Sequence, residues 1–187
     1  MSLRGFPRRT LRGDVALHRI HRAGRAAWWF SADGSGRFDP VGTGHGACYL
    51  STDPLGAWVE VFRKRMLVAE EEVLGRALFS VALGRDVRLA DLTSRRALEH
   101  GATATISASE DYRPSQTFAA GALEAGFAGV RYLVRHDPAQ RLYGVALFGP
   151  AGLPDGALWP EGEDRPIPGA LDQRAIEAFR YRVLPAP

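Results

Sequence analysis

Apolar positions come in short runs, and the spacing within the runs changes along the chain. Residues 15–20 (VALHRI) predict a strand ending on His18 and Arg19, and Trp28, Trp29 and Phe30 form an aromatic cluster beyond it. SADGSG and VGTGHG predict loops on either side of GRFDP, because Ser, Asp and Gly together favour turns. ACYLS predicts the next strand. Thr52 or Asp53 can cap the helix that follows, and Pro54 suits its first turn. Leu55, Val59, Phe62 and Met66 recur at helical spacing, which carries this helix to about residue 67.

ALFSVAL and VRLADLT predict two more strands, and SRRALEHG a short helix stopped by Gly101. Residues 102–112 predict an irregular excursion. SQTFAAGALEAG predicts a helix that stops at Gly126, and FAGVRYLV and RLYGVALF predict a strand pair joined through HDPAQ. The Pro- and Gly-rich stretch from GPAGLPDG to RPIPGA predicts a surface loop. A last helix, LDQRAIEAFR, packs through Leu171, Ile176 and Phe179. Strands and helices mix without a βαβ rhythm, so the fold class is α+β.

Glu60 stands out against this pattern. Each helical residue turns by about 100°, which puts Glu60 on the side away from Leu55, Val59 and Phe62. Lys64 follows at i+4 and can pair with it for roughly a few tenths of a kcal/mol, the behaviour of an ordinary solvated carboxylate. Gly56 and Ala57 leave low relief beside it, and a glycine inside a helix costs about 1 kcal/mol. A ligand approaching closely there would justify that cost. Periodicity alone leaves both readings open.

The length of 187 residues suits one domain, expected over 15–187, with residues 1–14 a flexible basic arm. That arm has no apolar segment behind it, and no apolar run approaches the length of a membrane span. Cys48 is the single cysteine, which fits a reducing, cytoplasmic location. The net charge of +3 is almost wholly arginine, with Lys64 the one lysine. Arginine presents a planar fork that matches phosphate and carboxylate. The basic residues are scattered, which disfavours direct nucleic-acid binding.

Several known chemistries lack their motifs. GSGRF at 34–38 has the glycines and the cation of a phosphate loop. It matches neither GxxxxGK[ST] nor GxGxxG after a strand, and a plain turn accounts for it. The five histidines form no HExxH and no Cys–His cluster, so no metal site is expected. There is no GxSxG, and Cys48 lies inside an apolar strand.

Taken in order, LHRIHRAG, WWF, GRFDP, CYLSTDPLGAWVE, VRLADLT, DYRPSQ, GFAGVRY and FRYRVLP resemble the RES-domain family. That family supplies the toxin half of RES–Xre toxin–antitoxin pairs. The resemblance spans nearly the whole chain. It implies a fold similar to ADP-ribosyltransferase toxins and the destruction of NAD by phosphorolysis or hydrolysis of the nicotinamide–ribose bond. The family's first arginine matches Arg19, its GR-aromatic arginine Arg37, its strand tyrosine Tyr49 and its glutamate Glu60. The family serine has its nearest equivalent in Ser115, displaced toward Arg113, and a second candidate place holds Val134. Ile20 stands where some members have an aromatic residue.

These residue types suit the implied chemistry. Cleavage builds oxocarbenium character on the ribose, which the Glu60 carboxylate would stabilise while holding the ribose hydroxyls. Arg19 and Arg37 would clamp the pyrophosphate, Tyr49 would stack on a base, and Ser115 would donate to a phosphate oxygen. Arg113 or Arg135 would supply a further cation if inorganic phosphate is the acceptor. NAD is then substrate, with no cofactor required. The implied partners are an Xre-like antitoxin, nucleic acid only through it, and a second copy of the chain. Two other readings remain: transfer of ADP-ribose to a protein, and a non-catalytic relative that keeps the pocket.

Overall fold

A computed structural model of the chain describes residues 3–62 and 66–185. The apolar runs become strands β1 (Arg8–Leu11), β2 (Ala16–Arg22), β3 (His45–Ser51), β4 (Leu67–Ala69), β5 (Arg76–Ala82), β6 (Val87–Asp91), β7 (Gly129–Leu133), β8 (Tyr143–Pro150), β9 (Glu163–Pro166) and β10 (Arg182–Leu184). The helices are α1 (Pro54–Phe62), α2 (Glu70–Leu74), α3 (Ala104–Ala108), α4 (Arg113–Glu124) and α5 (Gly169–Phe179). Short 3₁₀ segments cover Arg95–His100 and Gly156–Leu158.

Eight strands form one mixed sheet in the order β1-β6-β7-β8-β3-β2-β5-β9, antiparallel except for the parallel β6–β7 pair. β4 and β10 pair in parallel outside it. This is the α+β class expected from the alternation of elements. β3 pairs with β8, and β2 with β5, along the whole of β3 and β2. β2 and β3, by contrast, share a single register pair, His18 with Ser51. The sheet therefore splays between these two strands.

Three apolar clusters hold the layers. On one face of the sheet, Phe118, Ala119 and Ala122 of α4 pack on Val130 and Ala146. In a second cluster, Leu55, Trp58, Val59 and Phe62 of α1 pack with Ile20, Leu171 and Ala175. Leu17, Phe30, Leu50, Phe79 and Leu147 fill a third cluster. Trp58 is wholly buried, and its indole N–H donates to Asp172 Oδ1 at 2.7 Å, so its polar atom is satisfied where it could not reach water. Asp53 caps α1, its Oδ1 accepting from the Leu55 N–H at 2.8 Å. Gly101 (φ 75°) and Gly126 (φ 79°) adopt the left-handed backbone expected of stop signals.

The structure differs from several expectations. Over its described part the basic arm lies against the domain, with Leu3, Phe6 and Leu11 buried. β1 pairs antiparallel with β6. α1 ends at Phe62 as described and Leu67 already belongs to β4, so the helix stops short of residue 67. The pairing of Glu60 with Lys64 falls on residues 63–65, outside the described residues. Gly56 does not open a ligand face: a Cβ there would collide with Ser51 Oγ, so glycine is needed to seat α1 on β3. The excursion at 102–112 contains α3, and the surface loop before α5 contains β9.

Candidate functional site

A pocket of about 280 Å³ opens where β2 and β3 part. β2 contributes His18, Arg19 and Ile20, and β3 contributes Tyr49 and Leu50. The third wall is α1, through Ala57, Glu60 and Val61. These three lie at i, i+3 and i+4, so one helix face carries the carboxylate while Trp58, Val59 and Phe62 point into the core. Glu60 thus belongs to a concave face and is half-buried.

The loop from Ser31 to Asp39 forms the next wall and carries Arg37. Its geometry is fixed by Asp39, whose side chain is wholly buried. Asp39 Oδ1 accepts from the Tyr49 hydroxyl at 2.8 Å. Asp39 Oδ2 accepts from the Ser31 hydroxyl at 2.8 Å and from the Gly36 N–H at 2.9 Å. The Tyr49 hydroxyl in turn accepts from the Phe38 N–H at 2.8 Å. Gln116 on α4 donates to the carbonyls of Gly34 (2.9 Å) and Gly36 (3.1 Å). The N–H groups of Ser35, Gly36, Phe38 and Asp39 are all engaged within the loop or with Tyr49. GSGRF therefore does not cradle an anion with those amides, and the charged group that this turn brings to the pocket is the Arg37 side chain.

The Arg37 guanidinium lies 4.5 Å from the centre of the Tyr112 ring and makes a long 3.5 Å contact to the Ile106 carbonyl. Tyr112 also lines the pocket. Arg19 Nη1 donates to Trp29 O at 3.2 Å and to Cys48 Sγ at 2.7 Å, which holds that guanidinium across the splay. Burial pushes the Cys48 thiol up from its ordinary value, so the sulfur is a neutral acceptor. Burial also pushes the Tyr49 phenol well above its usual range, and the adjacent Asp39 carboxylate adds to that. His18 is driven below the ordinary imidazole value by burial, and its Nδ1 lies 2.9 Å from Ser80 Oγ. Arg135 and His136, just beyond β7, close the rim, and Arg135 is ion-paired with Glu110.

Four of the residues singled out from sequence, Arg19, Arg37, Tyr49 and Glu60, line one pocket. Two do not. Arg113 is exposed and paired with Asp111 at 2.7 Å, a contact that holds the Asp111 carboxyl down at about 2. Ser115 is wholly buried, and its hydroxyl donates to the Ile106 carbonyl at 2.5 Å. Val134, at the other place considered for the serine, is also buried. Tyr49 spends its hydroxyl on Asp39 and Phe38, so it supports the Arg37 loop as well as lining the pocket. Sequence reading passed over Asp39, His18 and Tyr112. Asp39 sat inside the quoted GRFDP, where an Asp before Pro in a Gly-rich turn looks like routine turn chemistry. Among the described residues no group of three or more His, Cys, Asp or Glu gathers as a metal site. No helix among them is long and apolar enough to cross a membrane.

Comparison with known proteins agrees with this architecture. A crystal structure of the M. tuberculosis MbcT–MbcA toxin–antitoxin complex contains a chain that superposes with a TM-score of 0.62 at 20% identity. The match covers 86% of this chain and 87% of that one. No curated protein sequence matches significantly. A family model described as the RES domain matches residues 16–168, which takes in β2, the Arg37 loop, β3, α1 and the rest of the pocket wall. With well over half of its length matched, the chain belongs to the RES domain family.

Proposed function

We propose that this chain is an NAD-consuming toxin that cleaves the nicotinamide–ribose bond and is neutralised by a cognate antitoxin. The observation that carries the reading is the convergence of one carboxylate, Glu60, with Arg19 and Arg37 around a single pocket beside Tyr49. At about 280 Å³ the cavity suits an aromatic ring with its ribose, and leaves the rest of a dinucleotide to extend along the arginine-bearing rim. The likeness to a chain of a toxin–antitoxin complex supports an antitoxin partner.

In this reading the C–N glycosidic bond breaks with its electron pair going to the nicotinamide nitrogen, which becomes neutral. Positive charge develops on the ribose, and Glu60 stabilises it and orients the ribose hydroxyls. Arg37, braced against Tyr112, and Arg19 hold the pyrophosphate. An oxygen of water or inorganic phosphate then bonds to the ribose carbon, and water gives up its proton to solvent. If phosphate is the acceptor, Arg135 is the nearer cation, since Arg113 lies outside the pocket.

The test incubates purified, antitoxin-free protein with NAD, with and without inorganic phosphate, and measures product masses. Free nicotinamide is expected, with ADP-ribose from hydrolysis or its 1-phosphate from phosphorolysis. NAD left intact under both conditions would sink the proposal. A non-catalytic relative is the second reading, favoured by the absence of a serine hydroxyl from the pocket at both candidate places. Binding of NAD without turnover would establish it. Modified protein bands without free ADP-ribose would instead indicate transfer to a side chain.

A further inference from the structure

Glu60, Arg19 and Arg37 face the pocket, but the acid that organises one wall of it lies behind that wall. Asp39 is wholly buried and does not line the pocket. Its two oxygens accept from three donors, Tyr49, Ser31 and Gly36, and those three residues do line it. A buried carboxylate is costly unless its oxygens are filled, and here both are. Gly36 fits the same arrangement: a Cβ on it would collide with Asp39 Oδ1 and the Tyr49 hydroxyl. The turn therefore wraps directly onto the carboxylate, and the next residue along it is Arg37.

We propose that Asp39 is a positioning residue that sets the Arg37 guanidinium for anion recognition by clamping the Gly36 turn to the Tyr49 hydroxyl. The proposal rests on Arg37 serving as an anion contact of the pocket, the role given to it above. It adds that this contact is built by a carboxylate the ligand never meets. The chemistry recognised is a pyrophosphate or a similar oxyanion.

Asp39→Asn keeps the shape and breaks the clamp. If the amide nitrogen replaces Oδ2, it meets the Gly36 N–H donor against donor. If it replaces Oδ1, the Tyr49 hydroxyl loses its acceptor. One buried hydrogen bond fails either way. The probe is inorganic pyrophosphate, with binding measured by calorimetry on wild type, Asp39→Asn, Arg37→Ala and the double variant. NAD turnover by the same proteins is read separately.

Asp39→Asn and Arg37→Ala are each expected to weaken pyrophosphate about tenfold, with little further loss in the double variant, because residues acting through one another are not additive. On NAD, Asp39→Asn should raise KM by a similar factor while kcat falls less than about threefold. Should Asp39→Asn not fold, Tyr49→Phe removes one donor from the carboxylate and must show the same KM-weighted loss and the same lack of additivity with Arg37→Ala. Unchanged pyrophosphate affinity in the variant, losses that multiply in the double variant, or a wild type that does not bind pyrophosphate would each overturn the inference. Intact NAD with the pyrophosphate pattern preserved would remove the proposed reaction and leave the Asp39 assignment standing.

Discussion

Gly36 and Tyr49 illustrate how single residues set the site. A methyl group on Gly36 has nowhere to go, so Gly36→Ala should cost roughly 1–3 kcal/mol as an overpacked position, read as a fall in the denaturation midpoint. Tyr49 makes alkaline stability informative. Its phenol titrates well above the ordinary value of 10.0 in the folded chain, because burial and the Asp39 carboxylate both resist the phenolate. The unfolded chain therefore ionises first as pH rises. The contribution is fully present below about pH 10 and is lost progressively above it. Cys48, raised from 9.0 by burial, acts in the same sense from a lower pH. His18 works on the acid side: its folded value lies below 6.5, so stability falls as pH drops under that value. Melting temperatures from pH 5 to 11 should trace a plateau between these limits. Tyr49→Phe should flatten the alkaline arm above about pH 10; an unchanged slope would contradict the role given to its environment.

Among the elements, α1 does two jobs at once. Its Leu55, Trp58, Val59 and Phe62 bury one face while Ala57, Glu60 and Val61 line the pocket on another. Trp58→Ala should cost about 3–5 kcal/mol in denaturant unfolding and release α1 from α5. Trp58→Phe should cost far less, since it keeps most of the packing and gives up the hydrogen bond to Asp172. The elements legible from sequence were those whose side chains face apolar neighbours in a regular rhythm: β2, β3, α1, β5 to β8, α4 and α5. Those missed depend on partners distant in the chain. Every residue of β9 is exposed, and β9 exists through its pairing with β5. β10 is likewise a mostly exposed triplet, Arg-Val-Leu, too short to carry a period and aligned on β4, and β1 hid among arginines until paired with β6. In the site, Arg19, Arg37, Tyr49 and Glu60 were legible because a family order of motifs marks them. Asp39 was not, since a buried network joining residues 31, 36, 39 and 49 leaves no periodic trace. Ser115 sits in an α4 otherwise read correctly, but helical period cannot tell a hydroxyl spent on a carbonyl from one facing a ligand.

For the molecule as a whole, the splay of one sheet between β2 and β3 places a carboxylate and two guanidinium groups around one cavity. The RES-domain match spans that arrangement from β2 to the start of the last helix. The most direct measurement is nicotinamide release from NAD by wild type and by Glu60→Gln, each with its melting temperature recorded. Release by the wild type and a loss of at least about 100-fold in the variant, with melting temperatures within a few degrees, is the expected result. Undiminished release by the glutamine variant would contradict the role of Glu60, and no release by folded wild type would contradict the reaction itself.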